Sequence, residues 1–356
     1  MKKNAGRLSK KLFAAMMAGT MMTAMVGMTV SAAGGVSGTG ENSIESVNVK
    51  KIVTTDGNTY APNTSFEFTV ANGTAGTFND GANESVSVKA GVTDGLKFGT
   101  AAIFAPDTDE LTTSSYEETA TLTVDVSKFN GAGVYHYIVT EQREAYEGIT
   151  YSEESYDVYV YVYNGTNGLY VGNVVSAQNG TKKDLTFTNN YGSGDNDSTH
   201  DVIIKKSVTG NQGDKNEKFT FVVGVNGGEG EVYKVVTTID GSATTTYVES
   251  GKTITVQNVT DNDTIHIYGL SASDKYTVNE TEANMNGYTT TYSNTDVTTA
   301  DGATVTADGT EMTVTNYRNA STPTGIAMTY GPYALMVALA GGMAALFLRR
   351  RNREDY

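Results

Sequence analysis

Short runs of strict alternation dominate the hydrophobic and polar pattern of this chain. In Tyr156–Tyr163, Val158, Val160 and Val162 take one parity and Tyr159, Tyr161 and Tyr163 the other. That is the period of a strand with two dissimilar faces. The run ends at Asn164-Gly165, which predicts a hairpin turn. Ser65–Val70, Thr121–Val126, Thr253–Val256 and Thr264–Ile267 alternate in the same way. No long stretch of residues 34–318 keeps a helical period. About 285 residues of short strands exceed one ordinary domain, so the fold class expected is all-β, with two β-sandwiches in tandem. The small polar stretch Gly192–Thr199 has no apolar period and reads as a linker, placed at residues 192–201. The sandwiches then occupy residues 34–191 and 202–318.

The two ends follow other patterns. Lys2, Lys3, Arg7, Lys10 and Lys11 precede an apolar stretch, Leu12–Val30, and the small residues Ser31-Ala32-Ala33. That order predicts a secretory signal peptide over residues 1–33, cleaved near Ala32 or Ala33. At the other end, an apolar run from Ile326 to Leu348 is followed by Arg349, Arg350, Arg351 and Arg353. The run is expected to cross the membrane as a helix, with the arginines on the cytoplasmic side. Everything between would face the exterior of the cell.

Composition narrows the function. The chain has no Cys, so disulfides and thiolate metal sites are excluded. Small exported domains normally carry a covalent staple, and the usual kind is missing. A net charge of −15 argues against nucleic-acid binding. His136, His200 and His266 show no metal-ligand spacing. Acidic turns such as Asp195-Asn-Asp197 and Asp261-Asn-Asp263 lack a full calcium-ligand pattern. No nucleophile elbow or phosphate loop is present. No cofactor or metal is expected.

The two halves repeat one another in four blocks. Val47–Val53 answers Val202–Val208, and Ser65–Phe68 answers Lys218–Phe221. Tyr137–Glu141 answers Tyr276–Glu280, and Leu185–Asn189 answers Met312–Asn316. Parity places Val47, Val49 and Lys51 on one face, as it does Val202, Ile204 and Lys206. Glu141 shares a face with Tyr137 and Val139, and Glu280 with Tyr276 and Val278. Asn189 goes with Leu185 and Phe187, and Asn316 with Met312 and Val314. If the apolar members face the core, then a Lys, a Glu and an Asn face it in each half. Lys50 and Lys205 have the opposite parity. Burying such charges is costly unless they are paired or removed. Three readings of the residues are open. The groups sit at strand ends and reach water, or they form a buried ion pair hydrogen-bonded to Asn, or a covalent bond forms. In the third, desolvation makes a neutral lysine amine that attacks the Asn carboxamide. A protonated Glu bonds the carbonyl oxygen and relays protons, and ammonia leaves.

These four blocks resemble the isopeptide-linkage domains of Gram-positive pilins of the streptococcal T-antigen backbone type. The resemblance implies Ig-like (CnaB-type) sandwiches, each holding a self-formed Lys–Asn bond between its first and last strands. Carried onto this chain, Lys51 bonds Asn189 assisted by Glu141, and Lys206 bonds Asn316 assisted by Glu280. Lys50 is the alternative to Lys51, and Asn190 to Asn189. Pro323-Thr324-Gly325, ahead of the apolar run, resembles a cell-wall sorting signal. It departs from the common Leu-Pro-x-Thr-Gly form, lacking the Leu and any residue between Pro323 and Thr324, and looks more like the variant handled by a pilus sortase. Cleavage would fall between Thr324 and Gly325. The matching segment of the resembled pilins carries the polymerising lysine seven residues before the bonded Asn, which is Lys182 here, with Lys183 beside it.

The resemblance implies a structural subunit of a cell-surface pilus rather than an enzyme. Its implied partners are a pilus sortase, identical subunits, peptidoglycan, and tip or minor pilins. A wall-anchored adhesin or minor pilin that does not polymerise is the alternative.

Overall fold

The structure, a computed structural model, describes residues 29–31, 35–38, 41–79, 85–106, 111–192, 199–306, 310–320 and 324–351. Most of the expected signal peptide, the linker residues 193–198 and Pro323 lie outside the described residues. Thr29–Ser31, within the expected signal peptide, is a strand paired antiparallel with Gly35–Ser37.

Two β-sandwich domains follow in tandem. The main strands of the first are β1 (Ser46–Thr54), β2 (Phe68–Asn72), β3 (Ser115–Val124), β4 (Gly133–Glu141), β5 (Ser155–Gly165), β6 (Gly168–Gln178) and β7 (Thr186–Tyr191). One sheet carries β6, β5, β4 and β2 in neighbouring order; the facing sheet is built around β7, β1 and β3. The second domain has β8 (Thr199–Thr209), β9 (Phe219–Asn226), β10 (Val232–Ile239), β11 (Ser242–Glu249), β12 (Lys252–Val259), β13 (Thr264–Ser271), β14 (Lys275–Glu280) and β15 (Thr310–Tyr317). Here β11, β10, β13, β8 and β15 neighbour one another in one sheet, and β12, β9 and β14 in the other. β8 starts at Thr199, inside the span expected to be linker. Its first residues pair with Ser271 and Leu270, so the backbone there is in the sheet ladder.

The repeat is topological as well as sequential. β1 lies between β3, antiparallel, and β7, parallel; β8 lies between β13, antiparallel, and β15, parallel. In each domain the last main strand thus runs beside the first. Alternation then selects the core. In β1, Val47, Val49, Lys51 and Val53 are buried while Asn48 and Lys50 are exposed. Tyr156, Val158, Val160 and Val162 of β5 pack into the same core as Phe68 and Phe187.

Two local features depart from the sequence reading. The hairpin between β5 and β6 pairs Gly165 with Gly168, so Thr166-Asn167 forms the loop, two residues after the expected turn. Gly168 has φ of +124°, a backbone region that side chains disfavour, which fixes the turn there. The outward parity of β5 is not wholly solvated either. Tyr159 is covered by a hairpin of Gly76–Asn79 and Ser85–Ala90, and Phe78 stacks on its ring at 3.9 Å.

The C-terminal run forms one helix, α1 (Thr324–Arg351). Among the described residues no helix is long and apolar enough to cross a membrane.

Candidate functional site

Register brings the repeated polar residues together. On the parallel ladder between β1 and β7, Lys51 pairs with Phe187 and Val53 with Asn189. Between β8 and β15, Lys206 pairs with Val314 and Val208 with Asn316. In both domains the lysine and the asparagine are therefore two residues apart on adjacent strands, with side chains on the same inward face. The glutamate arrives from the facing sheet. Glu141 ends β4 opposite Phe68, and Glu280 ends β14 opposite Phe221.

Both trios are removed from water. Lys51, Asn189 and Asn316 are fully buried, and Glu141, Lys206 and Glu280 nearly so. In the first domain Lys51 Nζ lies 2.6 Å from Glu141 Oε1, at an angle that makes no aligned hydrogen bond. Asn189 Nδ2 donates to that same oxygen at 3.0 Å, and the backbone N–H of Ser152 donates to Asn189 Oδ1 at 2.8 Å. In the second domain Lys206 Nζ donates to Glu280 Oε2 at 2.9 Å, and Asn316 Nδ2 to Glu280 Oε1 at 2.6 Å. Asn316 Oδ1 has no partner among the described residues.

The geometry corrects one expectation. The glutamate bonds the carboxamide nitrogen rather than its oxygen, so each carboxylate bridges the lysine amine and the amide NH2. Burial pushes the Lys51 amine down to about 8, against the opposing pull of the adjacent Glu141 carboxylate. Burial lowers Lys206 as well, opposed by Glu280. Lys51 Nζ sits 4.6 Å from the Phe66 ring centroid, and Lys206 Nζ 4.1 Å from that of Phe219. These aromatic floors were visible as the repeated Phe-x-Phe blocks, but spacing alone gave them no role.

The alternatives separate by exposure. Lys50 is exposed and pairs with Glu117 at 2.7 Å, and Lys205 pairs with Glu311 at 2.5 Å. Asn190 is exposed and contacts Thr54. The inward-facing residues are Lys51, Lys206 and Asn189, as parity required. Lys182 ends a two-residue strand, Thr181–Lys182, on the edge of β6. It is exposed. Lys183 is held by Gln178 at 2.5 Å and Glu154 at 3.3 Å. α1 begins at Thr324-Gly325. Among the described residues no group of His, Cys, Asp and Glu could hold a metal.

Comparison with known proteins supports the same architecture. Residues 47–192 match the family described as Spy0128-like isopeptide containing domain, and residues 200–318 match a domain of unknown function, DUF7601. A curated pilin of Streptococcus pyogenes serotype M1 is 29% identical over 330 residues, covering 85% of this chain and 89% of that protein. The solved major pilin T3.2 of Streptococcus pyogenes aligns with a TM-score of 0.58 and 27% identity, covering 80% of this chain and all of that one. The major pilin T-13 of the same species aligns at 0.54 and 27%, covering 80% of this chain and 99% of that one. With a Spy0128-like isopeptide containing domain at residues 47–192 and similarity to pilins along most of its length, the chain is a relative of the Gram-positive major pilins.

Proposed function

We propose that this protein is the shaft subunit of a sortase-assembled pilus, each domain closed by a Lys–Asn isopeptide bond. The observation that carries the reading is the twice-repeated buried trio with one register and one bridging carboxylate. Glu141 takes a proton from the Lys51 ammonium, and the neutral Nζ attacks Cγ of Asn189. The Ser152 N–H stabilises the charge that develops on Oδ1. Glu141 then passes that proton to the departing Nδ2, the Cγ–Nδ2 bond breaks and ammonia leaves, and Glu141 takes up the second proton that Nζ sheds as the amide forms. The new Nζ–Cγ amide is uncharged, so its burial carries no desolvation penalty for charge. Lys206, Glu280 and Asn316 repeat the chemistry in the second domain.

Polymerisation uses other residues. The signal peptide directs export, and a pilus sortase cuts between Thr324 and Gly325. The Thr324 acyl group passes to Lys182 of the next subunit, the last subunit is joined to peptidoglycan, and tip or minor pilins complete a fibre on the cell surface. The exposure of Lys182 and the engagement of Lys183 favour the former as acceptor. In the native host, Lys182→Ala is expected to abolish the high-mass ladder on a denaturing gel, and Lys183→Ala to leave it in place. A ladder that persists in Lys182→Ala removes Lys182 from the role.

A further inference from the structure

The contact between the two domains is built around buried carboxyls that neither crosslink uses. Glu231, just before β10, is buried. Tyr146 of the first domain donates its phenol to Glu231 Oε1, and Tyr191, the last residue of β7, reaches the same oxygen at 3.3 Å. From the second domain's own side, Tyr233 donates to Glu231 Oε2 at 2.7 Å and lies 3.1 Å from Asp274 Oδ2. Asp274 is also buried and accepts the backbone N–H of Ser271 at 2.8 Å. Around this centre Asn63 Nδ2 donates to the Glu229 carbonyl at 2.7 Å, Lys234 to Asn58 at 2.8 Å, and Ser273 to Glu147 at 2.7 Å. The rings of Tyr60 and Tyr247 meet edge-on at 5.6 Å.

We propose that this cluster is a pH-responsive lock that fixes the orientation of the two domains and tightens as the medium becomes acidic. The logic is electrostatic. Two carboxyls of the second domain are buried together against Tyr233, and Glu231 also lies beneath two phenols of the first domain. Phenol O–H groups satisfy the carboxylate oxygens by hydrogen bonding but bring no positive charge. Glu147 of the first domain adds a third carboxylate at the rim, and Lys275 is the cation lining the same cleft. Burial, with the charges of Glu231 and Glu147, pushes the Asp274 carboxyl up to about 6, against the lowering pull of the Ser271 and Tyr233 hydrogen bonds. The sign follows by linkage. The docked joint holds a proton on Asp274 that a separated, hydrated Asp274 would release. Docking is therefore favoured as pH falls through about 6, and repulsion between carboxylates opposes it at higher pH. Burial also pushes the phenols of Tyr146, Tyr191 and Tyr233 up, each with Glu231 adding to the shift, so they remain donors throughout this range.

The full chain contains no Cys, so spin labels can be placed at Thr119→Cys and Gln257→Cys, two exposed strand positions in different domains. Paired-label distance distributions are measured at pH 7.5 and pH 5. In the parent chain the distribution is expected to narrow on acidification. Tyr146→Phe with Tyr191→Phe keeps the rings, removes both donors, and should broaden it at both pH values. Asp274→Asn, a neutral isostere, should stay narrow and lose the pH response. A parent distribution that broadens in acid, a double tyrosine variant as narrow as the parent, or an Asp274→Asn variant that still responds to pH would each overturn the proposal. None of these readouts depends on the isopeptide bonds or on polymerisation.

Discussion

The parent protein is expected to weigh two ammonias less than its own sequence mass, Glu141→Ala only one less than its own, and the double variant with Glu280→Ala to match its sequence mass. The expectation follows from where each carboxylate stands. One glutamate touches both the amine that must lose a proton and the amide nitrogen that must gain one. Among the described residues, no other carboxylate forms an ion pair with Lys51 or Lys206. General acid–base assistance is worth about 10²–10⁴-fold in rate. The alternative proton acceptor, water, is excluded because these side chains are buried. Intact-mass measurement reads the result, and digestion localises it: peptides containing Lys51 and Asn189 stay joined in the parent and separate in Glu141→Ala. The mechanism fails if Glu141→Ala still lies two ammonias below its own sequence mass, or if the parent mass equals that of its uncrosslinked sequence.

The second large effect is on stability. Asn189→Ala removes the acceptor and leaves Lys51 against Glu141. Each bond closes a loop of more than 100 residues, and the disulfide loop-closure model assigns such a link about 4–5 kcal/mol. For a domain of this size that corresponds to about 10–20 °C in melting temperature. Calorimetry of the full chain should show the first domain melting earlier by that order while the second is unchanged; Asn316→Ala should do the converse. A shift of only a degree or two would show that the bond contributes little. The unlinked domain should also acquire a pH dependence. Its Lys51 amine titrates near 8 when folded, against 10.5 ordinarily. Between those values the unfolded chain binds more protons, so stability rises with pH across that window. In the proposed crosslink the nitrogen is an amide that cannot titrate, so that rise is expected to be absent from the parent domain.

The inward Lys, Glu and Asn positions were legible in the sequence because strand parity is a local property. Lys51 shares its face with Val47 and Val49 whatever the sheet does, and two ordered copies of the pattern made coincidence a poor explanation. The choice of Lys51 over Lys50, and of Asn189 over Asn190, rested on the same parity. The role of the glutamate was harder to read. Its position at a strand end was visible, but whether it meets the oxygen or the nitrogen of the carboxamide depends on the approach of the facing sheet. The covering of Tyr159 by Phe78 was also hidden, because a hairpin formed more than 70 residues earlier supplies the cover.

The domain joint marks the limit most clearly. Tyr146, Tyr191, Glu231 and Asp274 are far apart in the chain and belong to no repeated block, so no periodicity connects them. Alternation, the small polar break near residue 192 and the four paired blocks were enough to determine two similar sandwiches and the inward face of each strand. Only the tertiary structure decided which side chains meet across sheets and between domains. Parity fixes the direction of a side chain relative to its own strand, whereas a contact also needs the position of the strand it faces.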